Sequence, residues 1–208
     1  MYRYLKRLGD CLLSALALLL FCPVFLAIAV LVKCTSPGPV FFRQKRIGRG
    51  KKVFTMLKFR TMRTEAPSET PTHLLQNPFA YITGVGRFLR KTSIDELPQL
   101  WNILKGEMSI VGPRPALWNQ EDLIAERDRY GANGVRPGLT GLAQVRGRDE
   151  LPIAQKAAYD GAYCKAISFA TDCRIVWRTI RTTLTGKGFS EGAAETQSPA
   201  TETGKGEK

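Results

Sequence analysis

The chain has 208 residues, with 31 Lys+Arg against 18 Asp+Glu and a formal net charge of +13. That length buries a core without disulfide or metal staples, and 44% hydrophobic with 24% charged residues excludes wholesale disorder. The basic surplus points to anionic partners: nucleic acid, phospholipid or a phosphorylated substrate.

The first element is apolar. Arg3, Lys6 and Arg7 precede an uncharged run from Cys11 to Val32, which as a helix is roughly 33 Å long and matches a bilayer core. A cleaved signal peptide has a shorter apolar stretch, and Ala27-Ile28-Ala29 sits inside the run rather than after it. A spanning anchor places its two flanks on opposite sides, yet both flanks here are basic, with Lys33, Arg43, Lys45 and Arg46 following the run. Pro23 lies near its middle, where it removes a backbone donor and breaks or kinks a helix. The two arms that result are each too short to cross alone, which favours a re-entrant helix-break-helix over a kinked anchor.

Ser36-Pro37-Gly38-Pro39 reads as a stiff turn. Val40-Phe41-Phe42 and Val53-Phe54-Thr55-Met56-Leu57 then predict a β-hairpin around Ile47-Gly48-Arg49-Gly50. Lys58 and Arg60 alternate at its end, a spacing that puts both on one face for an anion. Glu65 to Phe79 reads as a loop carrying the only histidine, His73, which reads as a solvated loop residue and argues against multi-histidine metal sites and histidine-based nucleophile systems. Cys11, Cys22, Cys34, Cys164 and Cys173 form no Cys-x-x-Cys pair, which argues against a disulfide framework or a zinc site.

Gly84 to Lys91 predicts a short basic helix. Thr92 or Ser93 then caps a second one, with Asp95 and Glu96 in its first turn. Trp118–Tyr130, Pro152–Ile167 and Thr171–Leu184 are further helices. In the last, Cys173, Val176, Trp177, Ile180 and Leu184 recur at helical spacing opposite Arg174, Arg178 and Arg181, a stripe that suits either the core or an anionic membrane surface. From Gly186 the composition is that of a disordered tail. The expected architecture is α+β and mostly helical: a membrane segment over 1–35, one domain over 36–185 and the tail over 186–208.

The chemistry concentrates in the stretch from Thr92 to Pro115. Asp95-Glu96 is either a helix N-terminal charge pair or half of a site for phosphates and a divalent cation. The surrounding Lys58, Arg60, Arg90, Lys91 and Arg114 favour the second. Gly112-Pro113-Arg114-Pro115 fixes the backbone around one arginine, which suits charge that must be met in a fixed place. No zinc-finger, helix-turn-helix or RNA-recognition pattern is present, so nucleic acid is not expected as a partner.

Several collinear motifs resemble the bacterial sugar transferase family, the monotopic phosphoglycosyl transferases acting on polyprenyl phosphate, in its small catalytic-domain-only form. They are the proline-centred membrane segment, Pro37-Gly38-Pro39-Val40-Phe41-Phe42, Gln44-Lys45-Arg46-Ile47-Gly48 and Lys58-Phe59-Arg60-Thr61-Met62. Asp95-Glu96-Leu97-Pro98-Gln99-Leu100-Trp101-Asn102 and Met108 to Pro115 continue the series, followed by Arg136-Pro137-Gly138-Leu139-Thr140-Gly141 and the region from Tyr159-Asp160 to Asp172. The resemblance implies a re-entrant helix in the cytoplasmic leaflet of the bacterial inner membrane, Mg²⁺, a UDP-sugar donor and a polyprenyl phosphate acceptor; contact with anionic phospholipid is expected from the basic residues and the amphipathic last helix. It implies Asp95 as a nucleophile forming an aspartyl phosphosugar with release of UMP, and Glu96 as its acidic neighbour, both near the metal. Lys58, Arg60, Arg90, Arg114 and Arg146 fall on basic positions expected to meet phosphate. Cys22 before Pro23 replaces the family's usual serine, and a thiol is the weaker hydrogen-bond donor at the break.

Overall fold

A computed structural model describes residues 2–67, 77–147 and 151–185 of the chain; His73 and the expected tail lie outside the described residues. Two N-terminal helices, α1 (Tyr2–Leu20) and α2 (Cys22–Thr35), meet at a bend of 62°. Pro23 falls at the start of α2, where its missing N–H is one that a helix leaves without a partner in any case. Hydrogen bonding runs through the bend: the Phe21 amide donates to Ala17 O at 2.9 Å and the Phe25 amide to Phe21 O at 2.8 Å. The Cys22 thiol is exposed at the first position of α2. Among the described residues no single helix is long and apolar enough to cross a membrane.

Helix α1 has a leucine face and a polar face, and the polar one is turned inward. Leu12, Leu16 and Leu19 are exposed, whereas Asp10 and Ser14 are buried. Hydrogen bonds explain the inward turn at Asp10, whereas the buried Ser14 hydroxyl has no such partner among the described residues. Asp10 accepts from Ser109 Oγ at 2.7 Å and the Ile110 amide at 3.2 Å. Tyr2 and Lys6 both donate to Asp172 Oδ2 at 2.7 Å. A charge buried on an outward apolar helix is costly unless partnered in this way.

The predicted hairpin is present and longer than its apolar core suggests. Strands β1 (Phe41–Ile47) and β2 (Val53–Phe59) pair antiparallel with Phe41 opposite Phe59 and Ile47 opposite Val53. At the tip Gly50 takes φ 65°, a left-handed conformation that glycine adopts without strain. Helices α3 (Gly84–Lys91), α4 (Gln99–Lys105), α5 (Glu121–Asp128), α6 (Ile153–Lys165) and α7 (Phe169–Thr185) follow, with strands β3 (Ser109–Val111) and β4 (Gly138–Thr140) between them. Helix α5 is shorter than expected. The parallel pair β3–β4, joining Ser109 to Gly138 and Val111 to Thr140, was not legible, since three residues are too few to show a period.

Three apolar clusters hold these parts together. Phe54, Met56, Leu100, Ile103 and Met108 pack between the hairpin and α4, with Ala17 and Leu18 of α1 against them. Ile28 and Val32 of α2 join Phe59 and Leu89, with Ile94 at their edge. Val111, Tyr163 and Ile175 form the third. Both N-terminal helices therefore pack one side on the remainder of the fold. On α7 Asp172 and Ile175 are buried, and of the predicted stripe Val176 packs against the third cluster while Cys173, Trp177 and Ile180 stay exposed. Most of the predicted apolar stripe of α7 therefore faces away from its core side.

Candidate active site

The acidic pair lies where α2, α3, β2 and α4 converge. Asp95 and Glu96 occupy a separate 3-10 turn, Ile94–Glu96, and α4 starts only at Gln99. This corrects the expected capped helix. Thr92 Oγ1 donates backward to Phe88 O and Leu89 O, and Ser93 makes no side-chain cap. Pro98 supplies no amide hydrogen to continue the turn, so a new helix begins there. Ser93, two residues before Asp95, holds φ 57°, a left-handed conformation costing a non-glycine residue roughly 1–3 kcal/mol. Ile94, packed against Phe59 and Leu89, fixes the turn from below.

Asp95 is 7% exposed, and Glu96 is half-buried beside it. Lys58 Nζ donates to Glu96 Oε1 at 2.6 Å, and Arg114 Nη2 lies 3.6 Å from the same oxygen. Lys58 arrives from β2 and Arg114 from the segment after β3, so two cations distant in sequence meet one carboxylate. Asn102 of α4 holds β2 in place. Its side chain donates to Thr55 O at 2.7 Å and accepts from the Leu57 amide at 3.1 Å, next to Lys58.

The remaining basic positions divide. Arg90 Nε donates to Thr61 Oγ1 at 2.8 Å, on the hairpin side of α3. Arg60 goes elsewhere than expected: its side chain turns to the chain after α2, whereas Lys58 meets Glu96. Its guanidinium donates to Pro37 O at 2.8 Å, Ser36 O at 2.7 Å and Val32 O at 3.4 Å, satisfying carbonyls at the end of α2. Gly38, at φ 117°, leaves the room this requires, since a Cβ there would sit 2.2 Å from Arg60 Nη1. Arg146 lies over the Tyr159 ring, 5.9 Å from its centroid.

Among the described residues no three acidic, histidine or cysteine side chains gather into an all-protein metal cage. Adjacent carboxylates such as Asp95 and Glu96 nevertheless fit Mg²⁺, which commonly takes one or two carboxylates and completes its shell with water and substrate phosphate.

Sequence reasoning missed Asn102, Arg127 and the inward role of Arg7. An asparagine in the middle of a short helix was a signal, because it is a weak helix former there. Arg127 resembles any solvated charge of a polar helix, and no sequence feature separates it. Arg7 Nη1 and Nη2 donate to Ile103 O at 2.6 Å and Leu104 O at 3.0 Å, tying α1 to the last turn of α4.

Comparison with known proteins gives concordant matches. Residues 1–186 match the family described as bacterial sugar transferase. The chain is 41% identical over 195 residues to an Aeromonas hydrophila protein named UDP-N-acetylgalactosamine-undecaprenyl-phosphate N-acetylgalactosaminephosphotransferase, covering 90% of this chain but 45% of that one. It is 40% identical to the exopolysaccharide production protein ExoY of Rhizobium meliloti (strain 1021), covering 88% and 87% of the two chains. It is 44% identical to a UDP-glucose:undecaprenyl-phosphate glucose-1-phosphate transferase of Caulobacter vibrioides, covering 86% and 70%. The chain thus spans about half the length of one relative and most of the others.

Proposed function

The chain belongs to the bacterial sugar transferase family, and from that premise we propose that it moves a phospho-sugar from a UDP-sugar to polyprenyl phosphate and releases UMP. The observation that carries this reading is the buried Asp95 next to Glu96, itself held by Lys58 and Arg114. In the first step an Asp95 carboxylate oxygen attacks the sugar-bearing phosphorus. The bond from that phosphorus to the UMP oxygen breaks, and its electron pair leaves with UMP. A phosphate oxygen of the lipid then attacks the same phosphorus and releases Asp95 as carboxylate. Two displacements replace one between two anions.

The surrounding residues supply position and charge. Lys58 and Arg114 hold Glu96 in place while leaving positive potential beside the reacting phosphates. Arg90 and Arg146 are assigned to phosphates of donor and acceptor, and Arg60 to the end of α2. Asp95 and Glu96 are the residues that would hold Mg²⁺, which when bound offsets the charge of the diphosphate.

The exposed apolar faces of α1, α2 and α7 support a membrane arrangement. The bent pair α1–α2 enters one leaflet and returns, keeping both basic flanks on the cytoplasmic face of the inner membrane. The exposed Phe169, Trp177 and Ile180 of α7 rest at the headgroup level, where Lys and Arg nearby attract anionic phospholipid at ~1 kcal/mol each.

Intact-protein mass spectrometry after incubation with a panel of UDP-sugars and Mg²⁺ tests the reaction. A phosphosugar adduct is expected on the parent chain and absent from Asp95→Asn. An undiminished adduct on Asp95→Asn refutes the nucleophile; no UMP release from any UDP-sugar refutes the reaction.

A further inference from the structure

Arg114 is carried by a segment with no hydrogen-bonded structure of its own. Pro113 and Pro115 flank it and donate nothing from their backbone nitrogens. Four successive carbonyls are instead each held by a different part of the molecule. Pro113 O accepts from the Gly138 amide at 2.8 Å and Ala116 O from the Ile47 amide at 2.9 Å. Between them, Arg114 O accepts from Arg127 Nη2 at 2.9 Å and Pro115 O from Arg46 Nη1 at 2.9 Å.

The donor for Arg114 O is built with unusual care. Arg127 is 5% exposed, and its Nε and Nη2 both donate to Asp160 Oδ2, at 2.8 and 2.6 Å. Asp160 is 1% exposed, and its Oδ1 is buried without a hydrogen-bond partner. Close approach of α6 makes the contact: a Cβ on Gly161 would lie 2.5 Å from Tyr130 Cβ, just after α5. Burial raises the carboxyl pKa of Asp160, opposed by the charge of Arg127. A buried ion pair with one oxygen unsatisfied is a poor stabiliser, and apolar residues of similar volume often do as well or better. Its geometry serves something else: it aims one guanidinium N–H at the carbonyl of the residue that meets Glu96.

We propose that Arg127 and Asp160 are positioning residues for the transfer reaction, a buried strut that sets the main chain of Arg114 and so delivers its guanidinium to Glu96 and the reacting phosphates. The proposal rests on the phosphoryl-transfer reading above. Neither residue touches substrate; both act through Arg114. Misplacing a charged group by about 1 Å at such a site costs on the order of 100-fold in rate.

A double-mutant cycle separates this role from a general structural one. Asp160→Asn and Arg127→Lys are each made in the parent and in Arg114→Ala, with kcat, KM and Tm measured using the UDP-sugar that the parent turns over best. In the parent background kcat is expected to fall roughly 10- to 100-fold. In Arg114→Ala the same substitutions change kcat less than about twofold, because no guanidinium remains to misplace, while Tm shifts equally in both backgrounds. Equal fold-losses in the two backgrounds, or a parent-background loss under about twofold, overturn the proposal. Should Asp160→Asn not fold, Arg127→Lys, which keeps a cation beside Asp160, completes the cycle. Hydrogen exchange across residues 112–117 gives a readout independent of turnover. Faster exchange in the variants is expected, and unchanged exchange overturns the strut even if the parent releases no UMP and the transfer reading itself fails.

Discussion

Replacing Asn102 with alanine tests how the hairpin is held against α4. The side chain is buried, and it makes three hydrogen bonds: from Nδ2 to Thr55 O at 2.7 Å, from Nδ2 to Glu107 Oε2 at 2.7 Å, and from the Leu57 amide at 3.1 Å. Alanine leaves the Leu57 amide without that acceptor and removes a donor from a carboxylate. An orphaned group costs about 1–3 kcal/mol and a bond to a charged group about as much, so a total of about 3 kcal/mol is expected. For a chain of this size each kcal/mol moves Tm by roughly 2–4 °C, which puts the shift at roughly 6–12 °C. Thermal unfolding in detergent micelles measures it. Turnover is expected to fall as well, because Lys58 follows Leu57 on β2 and meets Glu96 at 2.6 Å. Asn102→Asp keeps the acceptor for Leu57 but sets a second carboxylate against Glu107, so it is expected to be no more stable than Asn102→Ala. A Tm for Asn102→Ala within about 1 °C of the parent refutes the stitch as the element that holds β2 to α4.

Other expectations follow from single features. Gly86→Ala places a Cβ 1.9 Å from Thr61 O, pushing α3 off the hairpin and Arg90 off Thr61; a lower Tm and reduced turnover are expected, and parent-like values of both count against close packing there. Asp172→Asn removes the carboxylate shared by Tyr2, Lys6 and Tyr163 and leaves the half-buried Lys6 ammonium only the longer 4.0 Å contact with Asp10, at a cost of about 3 kcal/mol; faster hydrogen exchange in α1 is the readout, and unchanged exchange refutes it. Burial, then the neighbouring Asp160 charge, pushes the Cys164 thiol up to about 11 from 9.0. Iodoacetamide at pH 8 is therefore expected to modify Cys164 more slowly than the exposed Cys173, as read by peptide mass spectrometry, and equal rates refute it. The sign for stability follows: between pH 9.0 and about 11 the unfolded chain loses this proton first, so stability falls as pH rises through that window.

Much of the site was legible because its chemistry is local. Asp95 and Glu96 are adjacent, the prolines bracket Arg114, and Pro23 interrupts the apolar run; adjacency and fixed φ are properties of the chain itself. The hairpin and most helices were legible for the same reason, since period and turn residues are read within a short window. The Cys11–Val32 run revealed its apolar character, but not that Asp10 and Ser14 beside and within it face inward.

Only the tertiary structure decided which charges meet. Lys58 and Arg60 are two residues apart, yet one reaches Glu96 and the other the carbonyls at the end of α2, a division that depends on where those distant partners lie in the fold. Arg127 and Asp160 are separated by 33 positions and make a buried pair. Helix α1 is anchored through Asp10 and Lys6 to residues about 100 and 166 positions away. Sequence determines the character of each segment, through local dihedral preference and the spacing of apolar side chains. Partnership between buried charges depends on distances of about 3 Å, and these exist only once the desolvation of folding has forced each polar group to find its partner.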